Sequence, residues 1–401
     1  MVKNLINDLR SQDWIKILLR KGNVYIVGGC VRDAFMNKSP KDIDIVVTGL
    51  GIDDIKELLR HYGKTSIVGQ SFSVIKFRPT YHAGEDFDIA VPRVDRKIGT
   101  GHKGFEISTE GVTIVDDLKR RDFTVNSIAV NVKTNEILDP FNGRKDLQAK
   151  ILRATDKNAF VEDALRMVRA IQFTARFRFD IEPNTLQLMK KNANLLKEIS
   201  GERILEEFQK ILHKNGSTKI AFECMHKSDM DKALFGKKFI NTDFSDFEGL
   251  DEVSFYYILG VLGGVTPSQF YKQRLKGEFV IIKALQTLEA YFGKFIDFAP
   301  GMKKSEAETK WNVFQMLRTA PSLKDALVMP ETAWKVIKEM KAGKIPMKLG
   351  DIPVNGNDIM DKFGVKNEEV GNIMSMMYKD ALMNKFDWKN KNETLKYLET
   401  L

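Results

Sequence analysis

The sequence predicts an α+β protein, a mixed-sheet domain followed by an all-helical remainder, and three observations carry that prediction. Residues 1–140 alternate short β-branched runs with turn signals. After "DPFNG" the apolar spacing switches to the helical period. At 401 residues, 43% of them hydrophobic, the chain exceeds what one core accommodates.

In chain order, "LINDLRSQDWIKILL" is amphipathic, contains Asp8 and Asp13 and runs straight into folded-looking sequence, so it reads as a first helix and not as a targeting peptide. Strands are expected at "VYIV", "IDIVV", "SVIKF", "FDIAV", "SIAVNV" and "EILD", with a helix at "IDDIKELLRHY". Residues 92–107, "PRVDRKIGTGHKGFEI", lack periodicity. With Arg93, Arg96 and Lys97 among three glycines, this stretch reads either as a mobile arm over an anionic ligand or as a solvated hairpin. From about Lys145 helices are expected at "NAFVEDALRMVRAIQFTARF", "EPNTLQLMKKNANLLKEI" and "GERILEEFQKIL", with Pro183 in a first turn and Gly201 as a separator. Breaks near "LGGVTPSQ", "FAPGMKKSEAE" and "AGKIPMKLGDIPVNG" complete an expected division into 1–140, 141–214, 215–300 and 301–401.

Composition narrows the function classes. Lys+Arg 63 against Asp+Glu 54 gives +9, a balance that fits a polyanionic partner. Cys30 and Cys224 offer neither a disulfide framework nor a CxxC knuckle, so the chain reads as cytosolic. No run approaches the ~18 apolar residues of a membrane span. The five histidines are scattered and form no H-x3-5-H pair.

The chemistry concentrates in "VYIVGGCVRDAFMNKSPKDIDIVV", residues 24–47. A dinucleotide fingerprint fails, because Cys30 and Asp33 stand where its later glycines belong. A strand, a glycine turn and a helix start still aim backbone N–H groups at a phosphate. In "DIDIVV", strand alternation puts Asp42 and Asp44 on one face, where two carboxylates repel each other unless a cation sits between them. With substrate phosphates they describe a Mg²⁺ site; alone they also read as a strand end capped by solvent-facing acids. Asp88 in "EDFDIAVPR" could supply a third carboxylate from a neighbouring strand, for an in-line phosphoryl displacement.

"GGCVRDAFMNKSPKDIDI", "KRRDFTVNSIAV", "DPFNGRKDLQAKILRA", "EDALRMVRAIQFTARF" and "GERILEEFQKIL" follow one another between residues 24 and 212. Together they resemble the ordered blocks of the class II CCA-adding tRNA nucleotidyltransferases and bacterial poly(A) polymerases. The resemblance implies a polymerase-β-like nucleotidyltransferase head over residues 1–140, followed by a helical neck, body and tail. Asp42 and Asp44 would then be metal ligands and, with Asp88, the catalytic acids. Gly28, Gly29, Arg32 and Asp33 would frame the triphosphate, and Arg121, Asp122 and Asn126 would hold the incoming nucleotide. Asp163 and Arg166 would read its base, with Arg169 beside them, and Arg93, Arg96 and Lys97 would belong to a flexible loop. Three positions apart on a helix, Asp163 and Arg166 share a face and can present an acceptor and a forked donor together. Cytosine and adenine both satisfy that pair, whereas uracil and guanine leave the acceptor unpaired.

Within the family, Gln70, Ser71 and Phe72 look like the CCA-adding pattern, and the long "PRVDRKIGTGHKGF" stretch is similar to the loop of enzymes that add both C and A. No His-Asp doublet occurs, so the phosphohydrolase domain appended to some relatives is not expected. "LGDIPVNGNDIMDKFG" resembles the tail element in which Gly356, Asp358 and Ile359 open a helix. The expected partners are tRNA, CTP and ATP, with Mg²⁺ as cofactor and no membrane. The alternatives are poly(A) or partial CC- or A-addition, an inactive RNA-binding protein, and a DxD phosphotransferase acting on other acceptors.

Overall fold

The computed structural model describes residues 2–40, 42–68, 74–80, 86–97, 105–239, 243–296, 306–321 and 331–400. The chain packs into two units, Met1–Ile211 with Cys224–Gly236, and Leu212–Glu223 with Lys237–Leu401. The mixed-sheet head and the helices that follow it to Ile211 therefore form one packed body.

The first unit opens with α1 (Val2–Ser11) and α2 (Asp13–Lys21). The amphipathic start is thus two helices, broken at Gln12, whose backbone is extended. There follow β1 (Asn23–Val27), α3 (Gly29–Phe35), β2 (Ile43–Thr48), α4 (Ile52–Leu59), β3 (Gly63–Val68), β4 (Val74–Pro79) and β5 (Phe87–Ala90). Next come β6 (Val94–Lys97), β7 (Phe105–Ser108), α5 (Ile114–Lys119), β8 (Ala129–Asn131) and β9 (Ile137–Leu138). Seven strands form one mixed sheet in the order β3-β4-β5-β2-β1-β8-β9. The edge strand β3 was not expected; its "GKTSIV" mixes small and polar residues at an exposed edge and leaves Ile67 48% exposed.

Strand alternation divides the sheet into two faces. Val24, Ile26, Ile45, Val47, Ile75, Phe77, Phe87 and Ile89 point to one side and pack with Ile6, Leu9, Trp14, Ile15, Leu18, Val31, Ile55 and Leu59 in the main core. Trp14 anchors it, with ring centroids 5.0 Å from Phe77 and 4.9 Å from Phe87. The other face carries a smaller apolar cluster of Val27, Val46, Leu118 and Ala129. The polar residues of β2 and β5 stand on that second face.

Beyond the sheet lie α6 (Gly143–Ala149), β10 (Ile151–Leu152), α7 (Ala159–Glu162), α8 (Leu165–Phe177), β11 (Asp180–Ile181), α9 (Pro183–Asn192), α10 (Gly201–His213), α11 (Thr218–Lys227) and α12 (Met230–Phe235). Three details correct the all-helical expectation. The stretch from Asn158 to Phe177 is two helices with Asp163 extended between them. The helix begun by Pro183 tightens into a 3-10 segment, Ala193–Glu198. A two-residue parallel pair, β10 with β11, brackets α7 and α8. Glu182 accepts from the Thr185 N–H at 2.7 Å, so Pro183 does occupy the first turn of a capped helix. Gly201 opens α10.

The second unit contains α13 (Glu252–Gly263), α14 (Pro267–Gln273), α15 (Phe279–Ile296), α16 (Glu306–Thr319), α17 (Glu331–Lys341), α18 (Gly356–Phe363), α19 (Asn367–Leu382) and α20 (Lys391–Leu398). One aromatic cluster surrounds Phe222, with Phe255 at 5.2 Å and Phe247 at 5.3 Å. Gly356 starts α18 as expected. Asn355 caps its first turn, Asp358 accepts from the Asn355 N–H at 2.8 Å, and Ile359 is buried. Among the described residues no helix is long and apolar enough to cross a membrane.

Gly143 ties this scaffold to the sequence motif that ends the sheet domain. Its N–H donates to Asp139 Oδ1 at 2.6 Å, and a Cβ there would lie 2.1 Å from the Thr124 carbonyl oxygen. Thr124 begins the 3-10 turn that carries Asn126. Gly143→Ala should therefore destabilise the fold by about 1 to 3 kcal/mol through overpacking, read as a lower urea midpoint.

Candidate functional site

β1 ends at Gly28, where φ is +72°, a conformation that favours glycine. A Cβ at this position would also lie 2.6 Å from Arg121 Nη1 and 3.5 Å from Asp44 Oδ2. The arginine thus lies against the bare backbone of the turn, within reach of the aspartate. Gly29 then starts α3, which holds Arg32 and Asp33.

Asp42 precedes β2 and Asp44 lies within it. β2 and β5 run parallel with Asp44 opposite Asp88 in register, and Lys76 of β4 stands opposite Asp88 on its other side. Residues paired across neighbouring strands point to the same face. The sheet therefore makes a row of Lys76, Asp88 and Asp44, and the strand adjacency that the three-acid reading required is present. Lys76 Nζ lies 3.9 Å from Asp88 Oδ1, both side chains being about half exposed. Burial pushes the Asp44 carboxyl up, Arg121 pulls it down, and the negative charges of Asp88 and Asp42 push it up further.

Mutually repelling acids are the donor set a hard divalent cation fits. Among the described residues, however, no three His, Cys, Asp or Glu side chains are grouped to hold an ion by themselves. A cation here would take its remaining oxygens from substrate and water.

The other predicted residues form one connected network. Buried Arg32 donates from Nη1 to Asn126 Oδ1 at 2.6 Å and pairs with Asp33 at 2.7 Å. Asn126 Nδ2 donates to Asp122 Oδ1 at 2.9 Å, and the Phe123 N–H donates to the same oxygen at 2.8 Å. Asp122 Oδ2 accepts Arg169 Nε at 2.9 Å and lies 2.7 Å from Nη2. Burial alone would push the Asp122 carboxyl up, but Arg169 and the Asn126 amide hold it below the usual carboxylate range. Arg169 also lies 3.8 Å from buried Glu207 on α10.

The base-reading pair departs from expectation in its local geometry. Asp163 and Arg166 do not sit on one helix, because Asp163 is extended (φ −142°, ψ 104°) after α7, and its Oδ1 accepts from the Leu165 N–H at 3.0 Å to start α8. A short acid that captures a backbone N–H two residues on competes with continuous helix. Arg166 donates to Glu162 at 3.0 Å, to the Ala159 carbonyl at 3.1 Å and to the Arg120 carbonyl at 2.5 Å. The second Asp163 oxygen accepts Arg203 Nη2 at 3.1 Å.

Arg203 was missed, although its "GER" block had been singled out; the signal was an arginine one turn into an amphipathic helix. Asp117 was also missed. It is fully buried and accepts from Arg120 at 2.6 Å and Arg121 at 3.1 Å. The i,i+3 and i,i+4 spacing of "DLKRR" could have revealed it.

The loop residues are partly resolved by a hairpin. β6 pairs antiparallel with β7, Lys97 opposite Phe105. Arg93 is half-buried just before β6. The side chains of Arg96 and Lys97, and Gln70, Ser71 and Phe72, lie outside the described part.

Residues 24–153 match the poly A polymerase head domain, and residues 178–239 match a probable RNA and SrmB-binding site of polymerase A. A CCA-adding enzyme of Francisella tularensis subsp. novicida is 38% identical over 217 residues, 53% of this chain and 55% of that protein. A multifunctional CCA protein of Aliivibrio salmonicida is 40% identical over 210 residues, 50% of this chain and 49% of that protein. The chain spans about half the length of the curated relatives it matches. Among solved structures, a Thermotoga maritima CCA-adding enzyme complexed with tRNA-CCA matches with TM-score 0.64 at 21% identity, covering 100% of this chain and 98% of that one. A Bacillus stearothermophilus CCA-adding enzyme in complex with CTP matches with TM-score 0.58 at 24% identity, covering 96% and 95%. At these identities the structural likeness establishes the shared fold.

Asp117 gives the site a pH signature. Burial would push its carboxyl up, but Arg121 and Arg120 hold it below the usual range. A carboxylate depressed in the folded state contributes stability that is full above its unfolded value of about 4 and is lost as pH falls through the folded value. Asp117→Asn should cost about 3 to 5 kcal/mol at pH 7 and flatten the dependence of stability on pH below about 4, measured by urea unfolding at a series of pH values.

Proposed function

We propose that this chain, whose residues 24–153 belong to the poly A polymerase head-domain family, adds cytidine and adenosine residues without a template to the 3′ end of tRNA, completing CCA from CTP and ATP. One observation carries the reading: the in-register pair Asp44 and Asp88, with Arg121 held over the Gly28 turn beside them. Acids alone would repel a triphosphate, whereas acids beside an arginine and a bare backbone turn can hold phosphates and a metal together. The names of the relatives support the same reading.

Asp42 and Asp44 would hold Mg²⁺, with Asp88 beside them. When bound, the ion supplies charge neutralisation at the α-phosphate and lowers the pKa of the attacking hydroxyl. The turn at Gly28 and Gly29 gives the phosphates room to approach the backbone, and Arg121 and Arg32 supply positive charge. The RNA 3′-hydroxyl oxygen bonds to the α-phosphorus, its proton passes to Asp88, and the bond from that phosphorus to the bridging oxygen breaks to release pyrophosphate. Buried Asp122 and Asn126 act on the nucleotide through the arginines they hold, Arg169 and Arg32.

The base is read at the junction of α7 and α8. Arg203 and the Leu165 N–H fix the Asp163 carboxylate, and Arg166 stands beside it, anchored on Ala159, Glu162 and Arg120. A fixed acceptor next to a fixed forked donor suits cytosine and adenine and leaves uracil or guanine with an unpaired group, about 1 to 3 kcal/mol of discrimination. The helices after the sheet would act as neck, body and tail over 141–214, 215–300 and 301–401. The compartment expected for this work is the cytoplasm.

Purified protein with Mg²⁺, tRNA lacking CCA, and CTP, ATP or both tests the reading. Growth that stops after three nucleotides supports it; unlimited A-tailing of generic RNA favours poly(A) polymerase, and no transfer at all favours an RNA-binding role. Asp44→Ala should abolish CMP incorporation while leaving tRNA binding intact in a filter assay. Arg203→Ala should keep incorporation but lose about tenfold or more of the discrimination against UTP and GTP, read as kcat/KM ratios, because Asp163 is no longer held.

A further inference from the structure

A second polar-aromatic site lies in the first unit, at the end of α3 opposite the acids. Gly29 begins the helix at the phosphate turn and Phe35 ends it, about 10 Å away at 1.5 Å per residue. There Phe35, Met36, Leu147, Phe177 and Phe179 line a cleft of about 410 Å³, with Arg144 and Lys150 at its edge. That volume falls in the range of sites for small ligands.

The rim is cationic and the walls are aromatic. The Arg144 guanidinium sits 5.3 Å from the Phe35 ring centroid. The Phe177 ring has Arg32 at 4.8 Å, Arg176 at 5.0 Å and Lys38 at 5.1 Å, with Phe173 stacked on it at 5.7 Å. Phe35, Met36 and Phe177 are half-buried, so the aromatic walls keep solvent-facing surface. None of the residues lining the cleft is acidic. The nearby carboxylates are engaged elsewhere, Asp33 by Arg32 and Asp146 by Thr124 and Arg153.

A cleft lined by aromatic and aliphatic side chains together with Arg144 and Lys150 matches an aromatic base joined to a phosphate. Base-aromatic stacking contributes about 1 to 3 kcal/mol per base and tolerates any base. Arginine and lysine at the edge meet the phosphate without reading sequence. We propose that this cleft binds one unpaired nucleotide, its base against the aromatic side chains of Phe35 and Phe177 and its phosphate on Arg144 and Lys150. It adjoins the phosphate turn, since Arg32 packs on the Phe177 ring at 4.8 Å, but none of its lining residues is one assigned to nucleotidyl transfer. The ligand's chemistry is shared by a nucleotide within an RNA strand and by a free nucleoside monophosphate.

The test uses the full chain and a fluorescent RNA hexanucleotide carrying one 5-iodouridine. Irradiation should crosslink it to a peptide containing Phe35 or Phe177, identified by mass spectrometry. Arg144→Glu combined with Lys150→Glu should weaken binding at least fivefold and reduce the slope of log affinity against log salt by about 1.4. Phe35→Ala should weaken binding about fivefold with the salt slope unchanged. Single-CMP incorporation at saturating RNA, measured in the same preparations, should be unaltered in the charge-reversed variant, which separates failure here from failure of the catalytic reading. Excess AMP that removes the crosslink assigns the cleft to free nucleotides, and removal only by unlabelled hexanucleotide assigns it to RNA strands. Removal by neither, or unchanged affinity in both variants, overturns the proposal.

Discussion

The Asp122 carboxylate is the interaction on which the rest of the site depends. One oxygen accepts the Asn126 amide and the Phe123 N–H, and the other takes the fork of Arg169. Through Asn126 it reaches Arg32 and the phosphate-facing turn, and through Arg169 it reaches α8. A charge this deeply buried is tolerable only when every lone pair it presents is met. Any arrangement that satisfies it therefore also fixes the sheet domain against the helix following Asp163. The Gly28 turn with Arg32 and the helix carrying Arg169, which come from different parts of the chain, are tied into one geometry by a single residue.

Much of this was legible because it depends on short-range periodicity. Strand alternation placed Asp44 on the polar face of β2, whereas Asp42 precedes the strand, and the glycine pair after an apolar strand marked the turn at Gly28. The pairing of Asp44 with Asp88 was not legible, since β5 sits next to β2 only because β3 and β4 fold outward to the edge. Sequence order says nothing about that choice. The Asp163 break was hidden for another reason: "EDALRMVRA" has sound helical periodicity, and one side-chain bond to the Leu165 N–H overrides it locally. Arg203 escaped because its partner, Asp163, lies 40 residues earlier in the extended link between α7 and α8, beyond the reach of any local spacing rule.

The chemistry of the acids is also protected from below. Cys30, buried behind the same turn, donates to the Val27 carbonyl at 3.1 Å, and burial pushes its thiol up to about 11. It stays protonated at neutral pH and adds no further negative charge beside Asp44. In this place the cysteine behaves as a small apolar residue, which agrees with its membership of the main core.

The parallel arrangement of β2 and β5 has a consequence in time as well as in space. Residues 45–87 intervene between the two opposed acids, including a helix and a complete antiparallel hairpin, β3 with β4. Closing so long a segment onto a parallel neighbour costs entropy that must be lost before the pairing is rewarded. Until that step the chain holds Asp42 and Asp44 but lacks Asp88 beside them. The row of Asp44 and Asp88 therefore exists only once β5 has joined β2, so the arrangement of the acids is a property of the finished sheet.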